Sequence, residues 1–191
     1  MTGRSLVHLT RLLVVTTACV VGAQALVTCE QTASAPALRA AFVYNFARFA
    51  EWPADTLPPG APLGLCVISD HAVGDALVDL TKGRTIDGHP MVVSTMTPES
   101  PSIGNCSVLY VAGLDGTRSA ALIDTLANKP ILTVGDVEGF AALGGVAGLF
   151  VDGNTMRFAV NLDAAERAHV RLSSKLLSLA KIVKDNRHAA R

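Results

Sequence analysis

The sequence is short of charge. Only 17% of its 191 residues are Asp, Glu, Lys or Arg, and its 16 bases balance its 16 acids. No basic run or stripe stands out, so the footprint of a nucleic-acid binder is missing and no nucleic-acid partner is expected. The five histidines never fall as H-x-x-x-H and no C-x-x-C occurs. A zinc site therefore has no support, and neither a metal nor a cofactor is expected. G-x-S-x-G is absent as well. Ser178-Leu179-Ala180-Lys181 has the S-x-x-K spacing of acyl-transfer enzymes, but neither S-D-N nor K-T-G accompanies it. It reads as a solvated helix face. Gly144-Gly145-Val146-Ala147-Gly148 has the glycine content of a phosphate loop without the Lys-Ser/Thr that would hold phosphate, and reads as a tight turn. No residue set specifies an enzyme.

Long hydrophobic runs are lacking too, with one exception. Leu12 to Gly22 is apolar, Arg4 and Arg11 precede it, and Ala23-Gln24-Ala25 follows. The run is too short to span a bilayer. Its parts match the positive, apolar and cleavage regions of a secretory signal. Residues 1–25 are predicted to be a signal peptide, and 26–191 a single domain with a flexible lead-in at 26–35. Removing Arg4 and Arg11 leaves two more acids than bases. Cys19 as a lipidation site is a weaker reading, because Thr16 and Thr17 stand where apolar residues are favoured.

Three cysteines would survive the cut: Cys29, Cys66 and Cys106. Cys29 lies in the lead-in. Cys66 lies in an apolar run and Cys106 just before another, so a bridge is expected in an oxidising compartment. The alternative is two buried thiols in neighbouring strands.

Aromatics make up 5% of the chain, yet Phe42, Tyr44, Phe46, Phe49 and Trp52 crowd into one stretch. Ser34 caps a predicted helix there, with Pro36 in its first turn. Leu38, Phe42, Phe46 and Phe49 form its expected core stripe, and Trp52-Pro53 closes it. Leu63 to Ser69 reads as a strand covered on both faces. A helix of about 72–81 follows, then a hairpin or two edge strands between Arg84 and Met96, with Gly88 and Pro90 in the middle. Val108 to Ala112 and Ile131 to Gly135 read as further strands, with a helix at Thr117 to Ala127 between them. A short helix is predicted at Val137 to Leu143. Val146 to Phe150 and Met156 to Val160 form a hairpin, and Asn161 caps a helix. A final helix carries Leu172, Leu176, Leu179, Ala180 and Val183 on one stripe. The alternation specifies an α/β fold: a layered sandwich with a largely parallel central sheet flanked by helices and an antiparallel edge hairpin.

Asp70, Asp115 and Asp136 each follow a predicted strand, where α/β proteins place ligand-binding groups. Helix capping is the preferred reading. Asp70 and Asp136 remain the ligand candidates if the chain is a small-ligand sensor.

Two motifs carry a resemblance. Ala40-Ala41-Phe42-Val43-Tyr44-Asn45-Phe46-Ala47-Arg48-Phe49-Ala50-Glu51-Trp52-Pro53 is similar to the opening of the YfiR/HmsC family. Arg157-Phe158-Ala159-Val160-Asn161, with Leu172-Ser173-Ser174-Lys175-Leu176-Leu177, resembles its close. Leu65-Cys66-Val67, Cys106 to Val111, Ile131 to Asp136 and Gly144-Gly145 fall between them in order. The resemblance implies a periplasmic regulator that binds the periplasmic part of an inner-membrane diguanylate cyclase and represses it. That would limit cyclic di-GMP and biofilm formation. It also implies sequestration by an outer-membrane lipoprotein, and a homodimer is among the expected assemblies. Cys66 and Cys106 match one family cysteine pair; no cysteine follows Cys106 to supply a second. Tyr44, Arg48 and Trp52 are the interface candidates, against the alternative that they are core and rim. His169 stands where the family's helix-ending glycine is expected.

Overall fold

A computed structural model of the chain describes residues 35–99 and 103–185. The expected signal segment, Cys19, Cys29, Ser34 and His188 lie outside the described residues. So does the lead-in except Ala35, which is the first residue of a helix rather than part of the lead-in.

That helix is α1 (Ala35–Arg48). Its core side is Ala40, Val43, Phe46 and Ala47, while Leu38 is exposed and Phe42 and Phe49 are half-buried. The expected aromatic stripe is thus rotated. Small residues at 40, 43 and 47 let the helix backbone approach its support, and the larger rings spread to its flanks. Phe42 and Phe46 both meet Phe158 edge-on, at centroid distances of 5.9 and 5.1 Å.

The chain then makes β1 (Ala50–Glu51), β2 (Leu63–Ile68), α2 (His71–Thr81), β3 (Thr85–Ile86), β4 (His89–Met96) and β5 (Val108–Val111). It continues through α3 (Gly116–Thr125), β6 (Leu132–Gly135), β7 (Ala147–Asp152), β8 (Thr155–Asn161), α4 (Leu162–Arg167), β9 (Arg171–Leu172), α5 (Ser174–Leu177) and β10 (Lys181–Val183). Eight strands form one sheet in the order β10-β8-β7-β6-β5-β2-β4-β3. Its centre is parallel; β3–β4 and β7–β8 pair antiparallel. The expected α/β class and mostly parallel sheet are what the structure has. β2, β5 and β6 are buried along their whole length, as strands covered on both faces must be.

Two local expectations fail for identifiable reasons. Val137–Leu143 is a run of turns rather than a helix, because Gly139 takes φ +71° and breaks any helical path. The closing amphipathic helix is only one turn, Ser174–Leu177, and Leu179 is exposed. Lys181–Val183 instead lies parallel to β8, where the β-branched Ile182 and Val183 suit an extended backbone. β7–β8 is therefore one strand in from that edge, and the β3–β4 hairpin forms the other edge. The sequence reading did not foresee a two-stranded ribbon, with β1 antiparallel to β9, joining the end of α1 to the segment after α4.

Hydrophobic packing divides about the sheet. The larger core unites α1 and α2 with Leu63, Leu65, Val67, Tyr110, Val134 and Val160, and takes Ala164, Ala165 and Leu176 from α4 and α5. The smaller core sets Ile123 and Leu126 at the end of α3 and Phe140 of the turn run against Ile68, Leu109 and Val111. Phe140 explains a glycine pair. A Cβ on Gly135 or Gly145 would fall 2.4 or 2.1 Å from its ring, so both positions must lack one.

Polar groups close the joints. Asn161 is fully buried. Its side chain accepts the Ala164 N–H at 3.0 Å, capping α4, and donates to the Ala141 carbonyl at 2.8 Å. α4 ends in a Schellman turn: the Val170 N–H donates to Ala165 and the His169 N–H to Glu166, with His169 at φ +52°. The histidine adopts the left-handed conformation that a glycine there would have supplied, so the break is built the same way with a less suited residue.

Candidate functional site

Three places collect the residues singled out in the sequence. The first lies at the carboxyl ends of the central strands. β2 and β5 are neighbours, yet the chain proceeds from β2 outward to β4 and from β5 outward to β6 and β7. This is the topological switch point of an α/β sheet, where ligands commonly bind. Ser69 and Gly113 flank it, with φ +64° and +67°. Asp70 accepts the Val73 N–H at 3.0 Å and caps α2, as its preferred reading had it. Asp115 caps α3 through the Arg118 N–H at 2.8 Å.

Asp136 does something else. No helix follows it, so it caps nothing. It accepts the Tyr110 hydroxyl at 2.9 Å and lies 3.2 Å from Nε of Arg39 on α1. Burial raises the Tyr110 phenol far above its ordinary value, and the negative charges of Asp136 and Asp70 raise it further. Asp136 therefore contacts a phenol that stays neutral, while Asp70 acts on it only through its charge. The sequence reading missed Tyr110 and Arg39. The available signal was a tyrosine inside a wholly buried strand, whose hydroxyl needs a partner at the strand end.

The second place is the end of α1. Arg48 is exposed and stacks over Phe49, with its guanidinium carbon 5.8 Å from the ring centroid. Tyr44 and Trp52 are half-buried against the larger core. The three interface candidates thus differ: one is solvent-facing, and two have apolar bodies committed to packing.

The third place is the disulfide. Cys66 and Cys106 are bonded, with Cα atoms 5.7 Å apart. β2 and β5 do neighbour each other, but Cys66 is in register with Leu109, not with Cys106. The bridge instead ties the segment entering β5 back onto the face of β2. Gly64 makes that approach fit: a Cβ there would lie 1.8 Å from the Asn105 carbonyl oxygen. The Ser107 N–H donates to the Gly64 carbonyl at 2.8 Å and completes the attachment.

Residues 36–181 match the YfiR/HmsC-like family. The chain belongs to that family. The match takes in the α1 motif, both disulfide cysteines, the Gly144-Gly145 pair seated against Phe140, and the Asn161 joint. A crystal structure described as a conserved domain protein from Vibrio cholerae O1 biovar El Tor str. N16961 is similar at 14% identity and a TM-score of 0.47. That likeness covers 76% of this chain and 60% of the other.

Among the described residues of this YfiR/HmsC-like protein, no three of His, Cys, Asp and Glu stand close enough to hold a metal ion. Nor does any described helix have the length and apolar character to cross a membrane. His89 Nδ1 donates to the Ala61 carbonyl at 2.8 Å, a structural tie between the hairpin and the approach to β2.

Proposed function

We propose that this protein is a periplasmic regulator that binds the periplasmic sensor part of an inner-membrane diguanylate cyclase and holds the cyclase inactive. Membership of the YfiR/HmsC-like family over residues 36–181 is the observation that carries the reading. It agrees with the expected secretory segment at residues 1–25. Repression by binding needs a rigid surface that prefers one state of its partner, since a ligand shifts an equilibrium only by its differential affinity. The polar groups at the strand ends suit such a part: Asp70 is spent on a cap, and Asp136 on Tyr110 and Arg39.

The reading extends to an interface. Arg48 and Lys175 over Phe49, with the half-buried Tyr44 and Trp52 close by in sequence, offer a cationic and aromatic patch of the kind enriched at binding hot spots. Deleting the gene should raise cellular cyclic di-GMP, and complementation with the intact chain should lower it again. Unchanged cyclic di-GMP in the deletion strain would sink the proposal. A pull-down from membrane extracts tests the patch: Arg48→Glu should reduce recovery of the cyclase while leaving the melting temperature unchanged.

A further inference from the structure

Among the described residues, no helix lies over the β4 half of the smaller-core side of the sheet. α3 and the turn run pack against Ile68, Leu109 and Val111. On the same side, Gly64 and Cys66 of β2 lie in register with Val92 and Ser94 of β4. Val92 is 50% exposed there. Parallel strands are ordinarily covered on both faces. Here β2 is buried by the disulfide and the Asn105 segment, while β4 beside it borders a groove of about 800 Å³, within the range of small-molecule sites.

The lining is unusual in its charge. Cys66, Cys106, Val92, Met96, Ile103 and Ile131 give it an apolar, disulfide-crossed floor. Lys129 is the single charged side chain among the described lining residues, and it has no ion-pair partner among the described residues. Trp52 also lines the groove, and its buried indole Nε1 has no hydrogen-bond partner among the described residues. Thr56, Ser94, Thr95, Asn105 and Ser107 add uncharged polar groups, so the described lining has an apolar floor, one cation and no acid, and complements an amphipathic molecule with one negative charge.

We propose that this groove binds an amphipathic monocarboxylate, an aliphatic chain of fatty-acid type whose head pairs with Lys129 and whose tail lies along the disulfide and Val92. Burial of the tail supplies the affinity, and the ammonium selects the acid over its uncharged analogue. The groove shares Trp52 with the Arg48 patch, but Arg48, Tyr110, Asp136 and Arg39 do not line it. It is independent of which protein the chain regulates.

Trp52 is the only tryptophan in the sequence, so its emission reports on the groove directly. The purified, oxidised, signal-free chain is titrated with sodium dodecanoate below its micelle concentration, with dodecanol as the uncharged control. Calorimetry on the same samples covers the case of a silent indole. The expected result is saturable one-to-one binding of dodecanoate. Lys129→Gln should weaken it roughly fivefold, the scale of an exposed ion pair, and bring it level with dodecanol. Val92→Glu, at an exposed site that folding tolerates, should abolish it. Absence of saturable heat and emission change would overturn the proposal. So would equal affinity for dodecanol, or a Lys129→Gln variant that binds as well as the original. Sedimentation that finds this face closed by a second copy, with dodecanoate unable to shift the dimer, would assign the groove to self-association and overturn it too.

Discussion

Asn161 holds two elements with one side chain, and replacing it separates the two contributions. Its Oδ1 accepts from Ala164 and starts α4; its Nδ2 donates to Ala141 and fixes the turn run that carries Phe140. Loss of a helix cap costs about 1 kcal/mol. A buried carbonyl left without a donor costs about 1–3 kcal/mol. Asn161→Ala should therefore destabilise the protein by about 2–4 kcal/mol. At a urea m-value of about 2 kcal/mol/M, the unfolding midpoint falls by about 1–2 M with the slope unchanged. Asn161→Asp is the sharper case. Aspartate caps as well as asparagine in isolated helices. Here it would point a carboxylate oxygen at the Ala141 carbonyl in a fully buried position, so it should do at least as much damage as alanine. An Asn161→Asp protein within about 0.5 kcal/mol of the original would show that only the cap counts. An Asn161→Ala loss below about 1 kcal/mol would refute both contributions.

Other perturbations probe separate joints. Tyr110 keeps its proton in the folded state while the unfolded chain releases it near pH 10, so its contribution is complete below pH 10 and is lost as pH rises further. In urea melts from pH 8 to 11, the stability gap between the original and Tyr110→Phe should narrow by about 1.4 kcal/mol per unit above pH 10; a constant gap refutes the argument. His169→Gly relieves a left-handed histidine and should raise stability by about 0.5–1 kcal/mol, seen as a higher melting temperature. Gly145→Ala must displace the Phe140 ring and should lower stability by about 1–3 kcal/mol. Reduction of Cys66–Cys106 reopens a separation of 40 residues and should cost about 4 kcal/mol in the chain-entropy account, measured by urea melts with and without reductant.

What could be read from the chain was whatever a local pattern determines. The all-apolar runs at 63–68 and 108–111 declared doubly covered strands, and Asp70, Asp115 and Asn161 declared caps, because each signal resides in a few adjacent residues. The α1 stripe misled because helical spacing alone favours large side chains, whereas close packing selected Ala40, Val43 and Ala47. Lys181–Val183 had the spacing of a helix face, but an open place beside β8 overrode it. The Tyr110–Asp136–Arg39 cluster joins three elements distant in sequence, and no window contains it. The cysteine pairing was legible, but the path of the bridge was not, since it depends on how the segment around Asn105 crosses Gly64.

The ribbon of β1 and β9 pairs Ala50 with Leu172 and Glu51 with Arg171. Those partners lie near opposite ends of the domain, and β10 takes its place in the sheet only after them. The ribbon that follows α1 thus cannot form until the chain has been made as far as Leu172. Contacts so far apart in sequence form slowly. The end of α1 therefore stays unfastened until β9 has been made, and the domain closes late.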